Sequence, residues 1–264
     1  MELKDIFGTG EIGKEIINQS GHIVKETIHN LSSPLTKVFG ERLADILDLI
    51  FTPIEKLKIY KDHKIELFKK KLEEEINKIP EEKRITPPLQ IIGPAVEGAK
   101  FYIEREELRN MFAILIASSM NIEKCQLIHP SYIEIIKQLS PLDAVNMSFF
   151  LDSHFYHMVD YALDEDVNFP ILSNVSLGIS ASNDIYDISI SLTNLIRLGL
   201  LEKDVTVNLQ TPNEYFDDKI ISQLKIVFDD NKNIDEFRNS IKVNSSLIRI
   251  TSYGIFFITA CHNN

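Results

Sequence analysis

The chain is poor in cysteine, in positive charge and in long apolar runs, and each shortage removes a class of protein. Two cysteines, Cys125 and Cys261, in 264 residues are too few for a disulfide framework and lack metal-ligand spacing. A reducing compartment and small core or half-buried roles for both are expected. A net charge of −11 repels nucleic-acid backbones on average, so nucleic acid is not an expected partner. Lys and Arg concentrate only between Glu55 and Arg84, where acids are nearly as numerous, which marks a solvated helix face. The first residues, MELKDIFGTGEIGKE, carry acids and no continuous apolar run, so a secretory signal is not expected and a cytoplasmic location is. The strongest apolar run, LADILDLIF, is interrupted by Asp45 and Asp48, well short of the roughly 20 residues that a crossing helix needs.

What is present is helix periodicity punctuated by prolines. Val24, Ile28, Leu31, Leu35 and Val38 step by four and three, and Ser33-Pro34 suits a helix restart with Ser33 as cap. Leu35 to Ile50 carries a broad apolar face. Thr52-Pro53-Ile54-Glu55 has the form of a capping box and starts a helix running to about Ile79, with Leu57, Ile65, Phe68, Leu72, Ile76 and Ile79 as a narrow stripe. Pro80 stops it. Pairs such as Glu66 with Lys70 and Glu74 with Lys78 would lace its outer face.

Between Glu81 and Ala144 the helix signals are densest. Leu89, Ile92, Val96, Ala99 and Ile103 share a face with Gly93-Pro94 as an expected kink, and Leu108, Met111, Phe112, Leu115, Ile116 and Ser119 share the next. His129-Pro130 and Ser140-Pro141 mark two further helix starts, the second with Asp143 as reciprocal acceptor and an expected extent to about Tyr161. From Asp164 the sequence turns rich in Asn, Ser and Gly, reading as a boundary or long connection. Helix resumes at Asp184 to Leu198, with Gly199 at a left-handed cap position; Leu200, Leu201 and the alternating VTVNL follow, then helix around Tyr215 to Val227. SIKVNSSLIRI alternates as a hairpin would, and TSYGIFFITAC closes with a short helix.

The expected fold is therefore mainly α: an amino-terminal arm of amphipathic helices over 1–80, a central helical bundle over 81–165, and a small winged-helix-like unit with a short β-hairpin over 166–264. In a winged-helix reading the helix from Asp184 would enter the major groove. It offers Arg197 as its only cation against Asp184 and Asp187, with Asn183 and Asn194 as few base readers, which favours packing or protein contact over DNA.

Chemistry is sparse. Asp152, His154, His157 and Asp160 form the best metal candidate, yet on a helix they do not converge, so they read as surface residues beside a core seam. His129 has no adjacent nucleophile and suits a helix start, while Ser118, Ser119 and Ser131 lack the glycine-flanked elbow of a hydrolase. No catalytic residue, metal site or cofactor is assigned, and no small-molecule substrate is predicted. Glu104, Arg105, Glu106, Glu107 and Arg109, charged residues at one helix start, are the candidate partner contacts. Hydrogen bonding of such groups within the core is the competing reading.

The stretch IPEEKRITPPLQIIGPAVEGAKFYIEREELRNMFAILIASSM, followed by HPSYIEIIKQLSPLDA, LTNLIRLGLLE and ITSYGIFFITAC, resembles the abortive-infection alpha family of bacterial proteins. The resemblance implies a part in antiphage defence and no known reaction, so it brings no catalytic residues. The function expected is a non-enzymatic defence protein acting through protein contacts or self-association. The alternatives are a membrane-perturbing effector that uses the amphipathic arm at a membrane surface and a winged-helix transcriptional regulator.

Overall fold

A computed structural model describes residues 62–163, 170–179, 181–206, 209–228 and 233–262. The expected arm helices before residue 62, with the Ser33 and Thr52 caps, lie outside the described residues. The chain divides into two compact units, one closing at Lys137 and taking in the chain end from Ala260, the other spanning Gln138–Thr259.

The first unit is helical among its described residues. Helix α1, Asp62–Asn77, buries Ile65, Phe68, Leu72 and Ile76, the stripe its spacing predicts, and Ile79 beyond it is buried too. Its ion pairs take a different register from the expected one: Lys70 meets Glu74 at 3.9 Å, while Lys71 and Lys78 both meet Glu75 at 2.9 and 2.8 Å. Helix α2, Leu89–Tyr102, continues through Pro94 and buries Ile91, Ile92, Ala95, Val96 and Ala99. Leu89, expected on that face, is 76% exposed because it sits in the first position after the Pro88 cap, ahead of the packed turns. Helix α3, Glu106–Ser119, is buried nearly all round from Leu108 onward, as its apolar last turns predict. Short helix α4, Ser131–Ile136, completes the unit and buries Tyr132, Ile133, Ile135 and Ile136.

The Glu81 to Arg84 stretch is fastened to the end of α3. Ile85 donates its backbone N–H to Met120 O at 2.8 Å, Ile122 N–H reaches Lys83 O at 3.0 Å, and Arg84 Nε donates to Ile79 O at 2.8 Å. This antiparallel clip fixes where α1 ends and where α2 begins.

The second unit opens with helix α5, Pro141–Ser148. Its capping box forms as expected: Asp143 N–H donates to Ser140 Oγ at 3.1 Å and Ser140 N–H to Asp143 Oδ2 at 2.7 Å. The helix does not reach Tyr161. Phe155–Leu163 is strand β1, in a four-stranded antiparallel sheet with β2 (Leu172–Val175), β3 (Leu201–Asp204) and β4 (Ile241–Ile250), in the order β2-β1-β4-β3. Met158, Val159, Tyr161 and Ala162 are all buried, so both faces of β1 are covered and the alternation that betrays a half-exposed strand is missing. A short apolar run of this kind looks the same in a buried helix.

The expected hairpin within SIKVNSSLIRI is likewise corrected. Ile241–Ile250 is one strand, paired with β1 from Phe155↔Arg249 to Leu163↔Ile241 and with β3 from Leu201↔Ile250 to Asp204↔Leu247. Its alternation is that of a central strand, and the partner of its other edge is β3, far away in sequence. The expected connection after Asp164 contains β2, which carries an extra residue against β1 between Val159↔Val175 and Tyr161↔Leu172, with Asn174 at φ 60.

Helix α6, Ile185–Arg197, starts at the Asp184 cap, whose carboxylate accepts from Tyr186 N–H at 2.8 Å. It ends in a Schellman motif: Gly199 adopts φ 72, Gly199 N–H reaches Ile196 O at 2.9 Å and Leu200 N–H reaches Leu195 O at 3.1 Å. Helices α7, Asp218–Phe228, and α8, Ile234–Ser240, lie between β3 and β4 in sequence, α8 with its own capping box of Asn233 and Glu236. Helix α9, Ser252–Cys261, begins where Thr251 Oγ1 donates to Gly199 O at 2.7 Å and accepts from Gly254 N–H at 2.9 Å. A Cβ on Gly254 would stand 2.1 Å from Leu200 O, so only glycine fits that crossing.

Candidate functional site

The charged helix start picked out in the sequence forms the corner between α2 and α3. Ile103, the cap of α2, is buried, and the chain turns through Glu104 and Arg105 before α3 begins at Glu106. Arg105 N–H donates to Tyr102 O at 3.0 Å, and Arg109 N–H to Arg105 O at 2.9 Å. Glu104, Arg105 and Glu106 are exposed, and Glu107 is half-buried. None of the first three has an ion-pair partner among the described residues.

Arg109 is placed differently from its neighbours. It is 3% exposed, and its Nη1 donates to Ile103 O at 3.0 Å, occupying a carbonyl at the open end of α2. A buried guanidinium spent on the backbone braces the corner from within. Tyr102 adds a second brace, its hydroxyl donating to Lys137 O at 2.5 Å. The corner therefore presents its acids and Arg105 from a fixed backbone.

Sequence reasoning missed Phe101, which is 71% exposed on the last turn of α2 beside these charges. The signal was available: Phe101 falls out of step with Leu89, Ile92, Val96, Ala99 and Ile103 and so cannot share their buried face. An exposed phenyl ring next to unpaired charges of both signs has the make-up of a protein-contact anchor with a polar rim.

The other sequence candidates scatter. Asp152 and His154 are exposed ahead of β1, while His157 and Asp160 stand three residues apart on a strand and so point to opposite faces. His157 lies against the Tyr215 ring, centroids 5.1 Å apart, with both ring nitrogens enclosed and without a hydrogen bond. Burial lowers its pKa, with Glu214 opposing. Tyr161 donates to Tyr215 O at 2.9 Å, and Tyr215 donates to His157 O at 3.2 Å; burial raises the pKa of both phenols. Asp160 accepts from Asn174 N–H at 2.9 Å and pairs with Lys203. These are structural ties within the second unit.

His129 Nδ1 accepts from Ser131 N–H at 3.2 Å and lies 2.5 Å from Ser131 Oγ, at the start of α4. Ser119 Oγ donates to Ile116 O at 2.7 Å. On α6, Arg197 is held by Asn194 Oδ1 at 2.7 Å and Gln138 Oε1 at 3.1 Å, while Asn194 Nδ2 donates to Asp143 Oδ2 at 3.0 Å. The one cation of that helix and one of its amides are thus engaged inside the unit.

Fold and corner together define a mainly α protein with a small antiparallel sheet. The model of the family described as abortive infection alpha matches residues 60–261, most of the chain, and the chain belongs to that family. Membership supports a role in abortive infection, a form of defence. No curated protein and no solved structure matches it.

Proposed function

We propose that this protein serves abortive infection without catalysing a reaction, by binding protein through the α2–α3 corner in the cytoplasm. The observation that carries this reading is Phe101, 71% exposed beside Glu104, Arg105 and Glu106 on a corner braced by the buried Arg109. Burying one phenyl ring in a partner pocket is worth about 1.5–3 kcal/mol, and the flanking charges set register and partner choice. The arm over 1–80, with its apolar seams at helical spacing, supplies self-association or effector binding. In a phage challenge, Phe101→Asp combined with Arg105→Glu is expected to abolish protection while leaving folding intact, since both side chains are exposed. Removing Met1 to Thr52 is expected to abolish it as well. Full protection from either variant refutes its part of the proposal.

A second reading has one observation in its favour. Helix α6 leads into β3, and β3 pairs with β4, which pairs with β1, an order that suits a winged-helix unit with α7 and α8 inserted into its wing. Charge opposes DNA binding, because Arg197 is tied to Asn194 and Gln138 and the chain carries −11 overall. A strong electrophoretic shift of mixed genomic DNA at low salt would favour the regulator. Membrane action rests on the arm alone; among the described residues no helix is long and apolar enough to cross a membrane.

A further inference from the structure

Within the first unit, a cavity of about 180 Å³ lies at the ends of α1 and α3, lined by Glu75, Lys78, Ile79, Ile114, Ala117, Ser118, Asn121 and Lys124. We propose that it binds a small oxyanion-bearing metabolite, a phosphomonoester or carboxylate with a compact apolar body. The space equals roughly six waters at about 30 Å³ each, enough for one oxyanion group and a small ring.

Side-chain donors outnumber acceptors here. Ser118 is 5% exposed, and its hydroxyl has no hydrogen-bond partner among the described residues, unlike the hydroxyl of adjacent Ser119. That hydroxyl is left open at the cavity wall, where it can donate to a ligand oxygen. Asn121 Oδ1 already accepts from Glu123 N–H at 2.9 Å, which leaves its amide N–H groups as donors. Lys124 has no ion pair among the described residues. Glu75, 6% exposed, is the one lining carboxylate; Lys71 and Lys78 both bind its Oε1, at 2.9 and 2.8 Å. Two lysines, Lys78 and Lys124, thus line the space with one carboxylate, in a chain whose overall charge is strongly negative.

The carbonyl ends of α1 and α3 work against an anion. At α3 that opposition is reduced, because Ala117 O and Ser118 O accept from Met120 and Asn121 N–H groups. Ile79, Ile114 and Ala117 supply the apolar wall for the rest of the ligand.

Isothermal titration of the full chain with phenyl phosphate and with benzoate, at matched ionic strength, tests this apart from any phage assay. Saturable binding of at least one is expected, weakened about tenfold by Lys124→Gln and about threefold or more by Ser118→Ala, with Lys219→Gln, in the second unit, unchanged as the control. Binding of phenyl phosphate alone assigns a phosphomonoester, and of benzoate alone a carboxylate. Neither probe binding up to about 10 mM, on the order of a 3 kcal/mol interaction, overturns the proposal. Equal binding by both lining variants and wild type does the same. Ser118→Ala removes one atom, and circular dichroism confirms that each variant is folded.

Discussion

The two units bury different sets of polar groups. The first takes in two charged side chains: Arg109, which donates to the Ile103 carbonyl, and Glu75, which Lys71 and Lys78 pair. The second takes in one carboxylate, Asp143, held by the Ser140 N–H and the Asn194 amide, together with groups that stay neutral near pH 7: His157, Tyr161 and Tyr215, linked through backbone carbonyls. A buried charge depends on one partner and fails when that partner is removed, whereas a buried neutral group fails when pH forces it to ionise. Removing a partner should therefore test the first unit's buried charges, and pH the second unit's imidazole and phenols.

The largest effect expected lies at a steric crossing in the second unit. Gly254→Ala drives a Cβ to 2.1 Å from Leu200 O, and urea denaturation should show a loss of about 3 kcal/mol. A loss below about 1 kcal/mol would mean that the start of α9 moves freely. Next comes Arg109→Ala, which strips the Ile103 carbonyl of its donor and should lower stability by about 2 kcal/mol, against less than about 0.5 kcal/mol for exposed Arg105→Ala. Equal losses in the same denaturation series would erase the distinction between brace and surface. Ser140→Ala removes a cap and should cost about 1 kcal/mol.

The pH response sharpens the contrast. Burial depresses the His157 pKa below its ordinary 6.5, so the folded state binds the proton less well than the unfolded chain. Its stability contribution is present above pH 6.5 and is lost as pH falls through the folded value. Burial raises the phenols above 10, so theirs is present below pH 10 and lost as pH rises. Unfolding midpoints measured from pH 5 to 11 should fall at both ends, and His157→Gln should flatten only the acid limb. An unchanged acid limb in that variant would remove His157 from the account.

The same contrast decides what could be read from sequence. Ile65, Phe68, Leu72 and Ile76 announced α1 because one face is buried and the other wet, and Ser140 with Asp143 announced α5 because a cap is a local bond. Phe155–Leu163 did not announce a strand, since burial on both faces erased its period and its partners lie many residues away. Arg109 and Arg105 look alike in the sequence, yet one is a brace and the other a surface residue. That difference depends on the three-dimensional turn at Ile103, which charge spacing does not encode. Phe101 could have been recognised from its phase on the helix.

We propose that protection comes from contact and not from chemistry. Membrane potential and nucleic-acid integrity, followed together through growth arrest in phage-challenged cells expressing the chain, test it most directly. Arrest with potential held and nucleic acid intact, absent in the Phe101→Asp and Arg105→Glu variant, is the predicted result. Nucleic-acid cleavage or loss of potential at the onset of arrest, undiminished in that variant, would contradict it.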